Sequence, residues 1–261
     1  MNDSPCRVYL LGDSITQGLG SKKVNFEGEL ARLLGDAWEV VNLAYTGTTV
    51  DYALRLLNEG KVVPTDDGRT VCVVLYGNVD AQIRPNSEGR VYPHVPSRYK
   101  GGGMLMPRPF YSRSLRKSLG QHVDNAFRTL LSSLIKAMDG TEQWVHIESF
   151  SEMYAELVRR LMELGVEVMC CSCVYIDERL FPGSPEQYRL YNERIAEVAT
   201  GGGLPYLDLW SSLGSRVEDG GWDSVYNKDH FHPNGDGYLV MAEEIAGAIL
   251  APSWTVQSER L

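Results

Sequence analysis

The sequence predicts an α/β protein: a three-layer α/β/α sandwich around a five-stranded parallel sheet. Short apolar runs of strand-forming residues alternate with segments whose apolar positions recur at helical spacing, the pattern of consecutive βαβ units. The helical segments each show one buried stripe, as helices laid on a sheet do. Three chemically distinctive segments directly follow the first three strand-like runs or their turns, where open parallel sheets bind ligands.

The strands are expected at Arg7 to Leu11, Trp38 to Leu43, Val71 to Tyr76, Val166 to Val174 and Pro205 to Leu209. Between the first two, Phe26, Leu30, Leu33 and Leu34 mark a helix. A later helix carries Phe150, Tyr154, Leu157, Leu161 and Leu164, and a last one Tyr238, Met241, Ile245 and Ile249. Glycines 201 to 203 are expected to end a helix before the fifth strand, and the tail after Pro252 to be loosely held. At 261 residues, a single domain spanning 1–261 is expected.

The connection after the third strand stands apart. From Ala81 to Gly120 it carries five prolines and a glycine run, and is longer than ordinary connections. Arg84, Arg90, Arg98, Lys100, Arg108, Arg113, Arg116 and Lys117 face only Glu88, a net of +7, so the rest of the chain carries −16 to reach the overall −9. Two readings stand. The insertion is a lid in which Arg84, Arg98 and Arg108 bind an anionic substrate, since guanidinium groups offer forked donors. Alternatively it is a surface loop or subunit contact anchored by Tyr92, Tyr99, Phe110 and Tyr111. The helix that follows, with Val123, Phe127, Leu130, Leu131, Leu134 and Met138, is expected to pack the insertion against the body.

Composition narrows the function. An isoelectric point near 5.1 and the lack of an aromatic-basic module argue against a nucleic-acid partner. No run approaches the roughly 20 apolar residues of a membrane span, and if Met1 is the native start the expectation is a cytoplasmic protein. Five cysteines, three of them in Cys170-Cys171-Ser172-Cys173, read as buried reduced thiols. Neighbouring strand residues point to opposite faces and scatter their sulfurs.

Chemistry concentrates at the two ends. Gly12-Asp13-Ser14-Ile15 follows the first strand, so Ser14 is placed where a buried strand ends and a helix begins. A serine hydroxyl needs a base and a third group to orient that base. In Asp229-His230-Phe231-His232-Pro233, the carboxylate and His232 are three residues apart and can lie on one face. Asp13 and Asp80 are expected to bond loop amides. Asp229, His230 and His232 are metal-ligand types, but no further cluster completes a shell, so neither metal nor cofactor is expected.

These segments resemble the SGNH hydrolases, the GDSL esterases and lipases. Gly12-Asp13-Ser14-Ile15 matches the family's first block and Asp229, His232 and Pro233 its last. Asn42 through Thr49 resembles the second block. The third, glycine-any-asparagine-aspartate, is distorted to Gly77-Asn78-Val79-Asp80. The resemblance implies a flavodoxin-like fold, a Ser14-His232-Asp229 triad and an oxyanion hole of Ser14 and Gly47 amides. Either Asn78 shifts to reach the oxyanion or those two amides serve alone. It further implies ester hydrolysis, on a carbohydrate ester or a short-chain acyl ester. An O-acyltransferase using the same acyl-enzyme, or a binding protein that keeps the fold, are the alternatives. The oligomeric state is left open.

Overall fold

The structure is a computed structural model describing residues 6–21, 24–100 and 115–251. Five parallel strands form its sheet: β1 (Cys6–Gly12), β2 (Trp38–Asn42), β3 (Thr70–Leu75), β6 (Glu167–Cys171) and β7 (Tyr206–Leu207), in the order β2-β1-β3-β6-β7. The register runs Arg7 to Glu39 and Thr70, and Val71 to Glu167. A separate antiparallel pair joins β4 (Ile83–Pro85) to β5 (Thr141–Gln143). Every residue of β3 is buried, as a central parallel strand covered on both faces requires.

Helices form the outer layers. On one side α1 (Phe26–Leu34) packs on α7 (Gly235–Leu250), beside α6 (Leu209–Gly220). On the other, α2 (Val50–Asn58) packs on α4 (Ile147–Glu163), and α4 on α5 (Ser184–Gly201). Most of the expected stripes are the contact faces: Phe26, Leu30 and Leu34 in α1, Phe150, Tyr154, Leu157 and Leu161 in α4, and Tyr238, Met241, Ile245 and Ile249 in α7 are all buried, Leu33 is partly buried, and Leu164, just past the end of α4, is exposed instead. Burying each such side chain contributes roughly 1.5–3 kcal/mol. α5 ends at the expected glycines, with Gly203 at φ +64°. The tail after Pro252 lies outside the described residues.

Several expectations are corrected. The fourth strand stops at Cys171, because the Cys173 amide donates to the Asn192 side chain (2.7 Å) and the Val174 amide to the Asn78 side chain (2.9 Å). These side-chain bonds replace the ladder and turn the chain into a loop. The fifth strand stops at Leu207, since Asp208 caps α6 by accepting the Ser211 amide at 3.1 Å. Ser14 opens a set of tight turns, with Gln17 bonded to Asp13 and Leu19 to Ser14, and the first helix begins only at Phe26. The insertion is not an unbroken loop to Gly120: it holds β4 and two short 3₁₀ turns, and α3 (Leu115–Asp139) starts before it ends.

α3 departs most from expectation. Its inner side carries the buried Asn125, Arg128, Ser132 and Ile135, with Ile135 packed on Val95 and Tyr99 and Arg128 lying over the Tyr99 ring. Val123, Leu130, Leu134 and Met138 face solvent; of the expected stripe, Leu131 joins the packing and Phe127, 41% exposed, keeps its ring against Tyr99 at 5.2 Å. Four of the cysteines, Cys72, Cys170, Cys171 and Cys173, are buried free thiols, and burial raises the pKa of each, that of Cys170 to about 11.

Candidate active site

Ser14 sits just past the end of β1. Gly12 permits that sharp exit: a Cβ there would lie 2.0 Å from Thr16 Oγ1 and 2.8 Å from the Leu75 carbonyl oxygen. Only glycine allows β1, β3 and the Ser14 turn to approach so closely. Asp13 is fully buried below, accepting the Ile15 amide at 2.9 Å. Burial pushes its carboxyl up to about 6, against the opposing pull of the Ile15 amide, His232 and Asn78.

From the opposite end of the chain, the segment before α7 reaches the same rim. Ser14 Oγ lies 3.0 Å from His232 Nε2, and His232 Nδ1 lies 2.8 Å from Asp229 Oδ2. The other Asp229 oxygen accepts the Phe231 and His232 amides at 3.2 and 3.1 Å, fixing the carboxylate relative to the ring. Because the carboxylate only accepts, Nδ1 carries the proton and Nε2 is free to accept from the Ser14 hydroxyl. Ser14 and His232 are buried, so this polar chain is shielded from bulk water. Asp229 is not the cap of α7; Asn234 is, accepting from Asp236 and Gly237.

The loop after β2 is tied to the loop after β1. Asn42 donates to the Thr16 carbonyl and accepts the Ala44 amide, both at 3.0 Å, and Tyr45 donates to the Gly12 carbonyl at 3.2 Å. Gln17 accepts the Thr46 amide at 3.1 Å. Gly47 follows at φ +74°, exposed, with no heavy atom within 4 Å of where a Cβ would stand. Two loops that must cooperate are thereby cross-linked by three of these contacts, Asn42 to Thr16, Tyr45 to Gly12 and Thr46 to Gln17.

Asn78 and Asp80 brace the third loop. Asp80 accepts the Gly77 amide at 3.1 Å and the Val50 amide at 3.0 Å; burial, opposed by those bonds, raises it to about 7. Asn78 is wholly enclosed. Its Oδ1 is held by the Val174 amide, its carbonyl accepts from Tyr188, and its carboxamide helps hold the Asp13 carboxyl down. Its Oδ1 is thereby fixed on the loop leaving β6, while its Nδ2 donor makes no hydrogen bond among the described residues. Val79 occupies the next position and is itself buried.

Sequence reasoning missed one cluster. His230, at φ +47°, places Nδ1 2.7 Å from Asp177 Oδ2, and its ring stacks on Trp222 at 4.8 Å. Trp222 in turn stacks on Tyr175 at 5.3 Å. Asp177 is buried, which raises its pKa, yet bonds to Arg179 and His230 outweigh that and hold it at about 2. The array borders an open cleft of about 470 Å³ lined by Tyr175, Asp177, Trp210 and Trp222 among others. Its only sequence signal was a second histidine two residues before His232.

Of the insertion's arginines, Arg84 pairs with Glu142 (2.9 Å) and lies over the Trp144 ring, and Arg98 lies over Tyr99. Arg108 lies outside the described residues. Among the described residues no group of three or more His, Cys, Asp or Glu side chains is arranged to hold a metal ion, and no helix is long and apolar enough to cross a membrane.

The model of the GDSL-like Lipase/Acylhydrolase family matches residues 10–240. The chain belongs to this family. GDSL-like acylhydrolases carry the SGNH fold, and solved structures share it here. Axe2, an acetylxylan esterase from Geobacillus stearothermophilus, superposes with a TM-score of 0.60 at 13% identity, over 97% of this chain and 98% of that one. The acetyl xylan esterase AlAXEase gives 0.58 at 15%, over 94% and 100%. LAE5, an alpha/beta hydrolase enzyme from the metagenome of Lake Arreo, Spain, gives 0.57 at 17%, over 94% and 96%. These identities speak for a common fold. No curated protein matches the chain.

Proposed function

We propose that this GDSL-like protein is a serine esterase in which Ser14 is the nucleophile, His232 the general base and acid, and Asp229 the group that orients it. The relay from Ser14 Oγ to His232 Nε2 (3.0 Å) and from Nδ1 to Asp229 Oδ2 (2.8 Å) carries the reading. Ser14 Oγ attacks the ester carbonyl carbon while its proton passes to His232 Nε2. The imidazolium so formed is stabilised by Asp229, then protonates the departing alcohol as the tetrahedral intermediate collapses. Water, deprotonated by the same nitrogen, releases the acid and restores Ser14.

The oxyanion is assigned to the backbone amides of Ser14 and Gly47. Asn78 is the third candidate donor: its Oδ1 is held by the Val174 amide, which leaves its Nδ2 a buried donor without a hydrogen-bond partner among the described residues. One such donor contributes roughly 3 kcal/mol to the transition state.

For the substrate we favour an uncharged acetyl ester, on a carbohydrate or another small alcohol. The similarity in fold to acetylxylan esterases supports the acetyl group. The ion pair of Arg84 with Glu142 removes one of the three cations on which an anionic substrate would depend. Fluorophosphonate labelling tests the reading: wild-type protein is labelled at Ser14, and Ser14→Ala is not. Failure of the wild type to react, or labelling that persists in Ser14→Ala, overturns it.

A further inference from the structure

α3 is built inside out. Helical residues one turn apart share a face, and stepping from Leu119 through Val123, Phe127, Leu130 and Leu134 to Met138 follows a single face along five turns. An apolar stripe of that width belongs against a core. Here it faces outward, with exposures from 41% at Phe127 to 69% at Leu130, while Asn125, Arg128 and Ser132 are buried on the opposite side.

We propose that this face pairs with the same face of a second copy of the chain, so that two α3 helices form the centre of a homodimer. The surface is large enough. The six residues expose about 600 Å² per chain, so a pair would bury on the order of 1,200 Å², the lower bound for specific interfaces, before neighbouring residues add to it. Monomers rarely leave contiguous apolar patches of this size in water.

Its charge pattern selects the occupant. Between Leu119 and Met138 the Asp, Glu, Lys and Arg residues are Asp124, Arg128 and Lys136. Arg128 is buried and paired with Asp124 at 2.7 Å, and Lys136 is half-buried, with its pKa lowered by that burial. The stripe itself is uncharged. Two identical faces therefore meet without like-charge repulsion, as a twofold interface demands. A helix that lies on lipid frames its apolar face with lysine and arginine along its length; in α3 the exposed Arg116 and Lys117 stand only in the first turn, ahead of the stripe.

On the inner side of α3 a small cluster of Val95, Tyr99 and Ile135, with Leu131 at its edge, is separate from the main core. Pairing adds burial on the outer side, where the stripe is exposed.

Sedimentation of the full chain across low and high micromolar concentrations tests the proposal. Wild-type protein is expected at twice the chain mass, and the double variant Leu119→Glu/Leu130→Glu at the single-chain mass, with its dissociation constant raised at least ~100-fold. Circular dichroism of the variant confirms that it folds; should it not, Met138→Glu near the helix end makes the same comparison. A wild type that stays monomeric at high concentration overturns the proposal, whether the face is then covered by this chain's own residues or found to bind anionic phosphatidylserine vesicles. A dimer that survives every glutamate substitution also overturns it.

Discussion

His230 Nδ1 and Asp177 Oδ2 meet at 2.7 Å, joining the segment that carries Asp229 and His232 to the loop leaving β6. His230 is the one non-glycine residue among those described with positive φ, +47°. A histidine there is tolerable where a β-branched residue is strained. His230→Val is expected to lower the unfolding free energy by about 1–3 kcal/mol more than His230→Asn, which also lacks the imidazole but accepts the backbone. Urea denaturation of the two variants checks this, and equal losses contradict it.

The third family block gives a second prediction. If two amides form the oxyanion hole, Asn78→Ala acts through stability and loosens the Asp13 and Val174 contacts, whereas Val79→Asn offers a donor at the family's position. Val79→Asn is expected to raise kcat on p-nitrophenyl acetate, by up to roughly 10²-fold. A loss of kcat in Asn78→Ala of that same size, with its melting temperature unchanged, would instead make Asn78 the donor.

Asp80 and Asp13 give a pH dependence. Burial raises them to about 7 and about 6 from the ordinary 3.8. A carboxyl raised on folding favours the folded state while protonated, so its contribution is complete below about pH 4 and lost as pH climbs through about 6–7. Asp80→Asn cannot ionise. The fall in unfolding free energy between about pH 4 and about pH 8 should be shallower in that variant than in wild type. Parallel slopes would refute the assignment.

Gly12 is the tightest steric point of the site. Gly12→Ala places a methyl 2.0 Å from Thr16 Oγ1, with the Leu75 carbonyl behind it. Overpacking of this kind typically costs 1–3 kcal/mol, and here backbone as well as side chain must move. Thermal melts should show a clear destabilisation together with reduced esterase activity; a variant as stable and active as wild type contradicts this packing.

Most of the fold was legible because buried parallel strands announce themselves as apolar runs, and Phe150 to Leu161 or Tyr238 to Ile249 keep helical spacing. Strand ends were not, because side chains elsewhere set them: Asn192 and Asn78 claim the amides of Cys173 and Val174, far away in sequence. Ser14, His232 and Asp229 were legible through their local motifs, and the structure brings them together. Asp177 was invisible, since its partner lies 53 residues away. Periodicity located α3's apolar stripe but could not say which way it faces. That depends on what Asn125 and Arg128 meet on the other side.

The most direct measurement is the rate on p-nitrophenyl acetate for wild type and Asp229→Asn. Removing the carboxylate while keeping its shape leaves His232 without the partner that fixes its tautomer, and kcat should fall roughly 10⁴-fold with the melting temperature little changed. A variant that keeps most of the wild-type kcat would contradict the Ser14-His232-Asp229 relay.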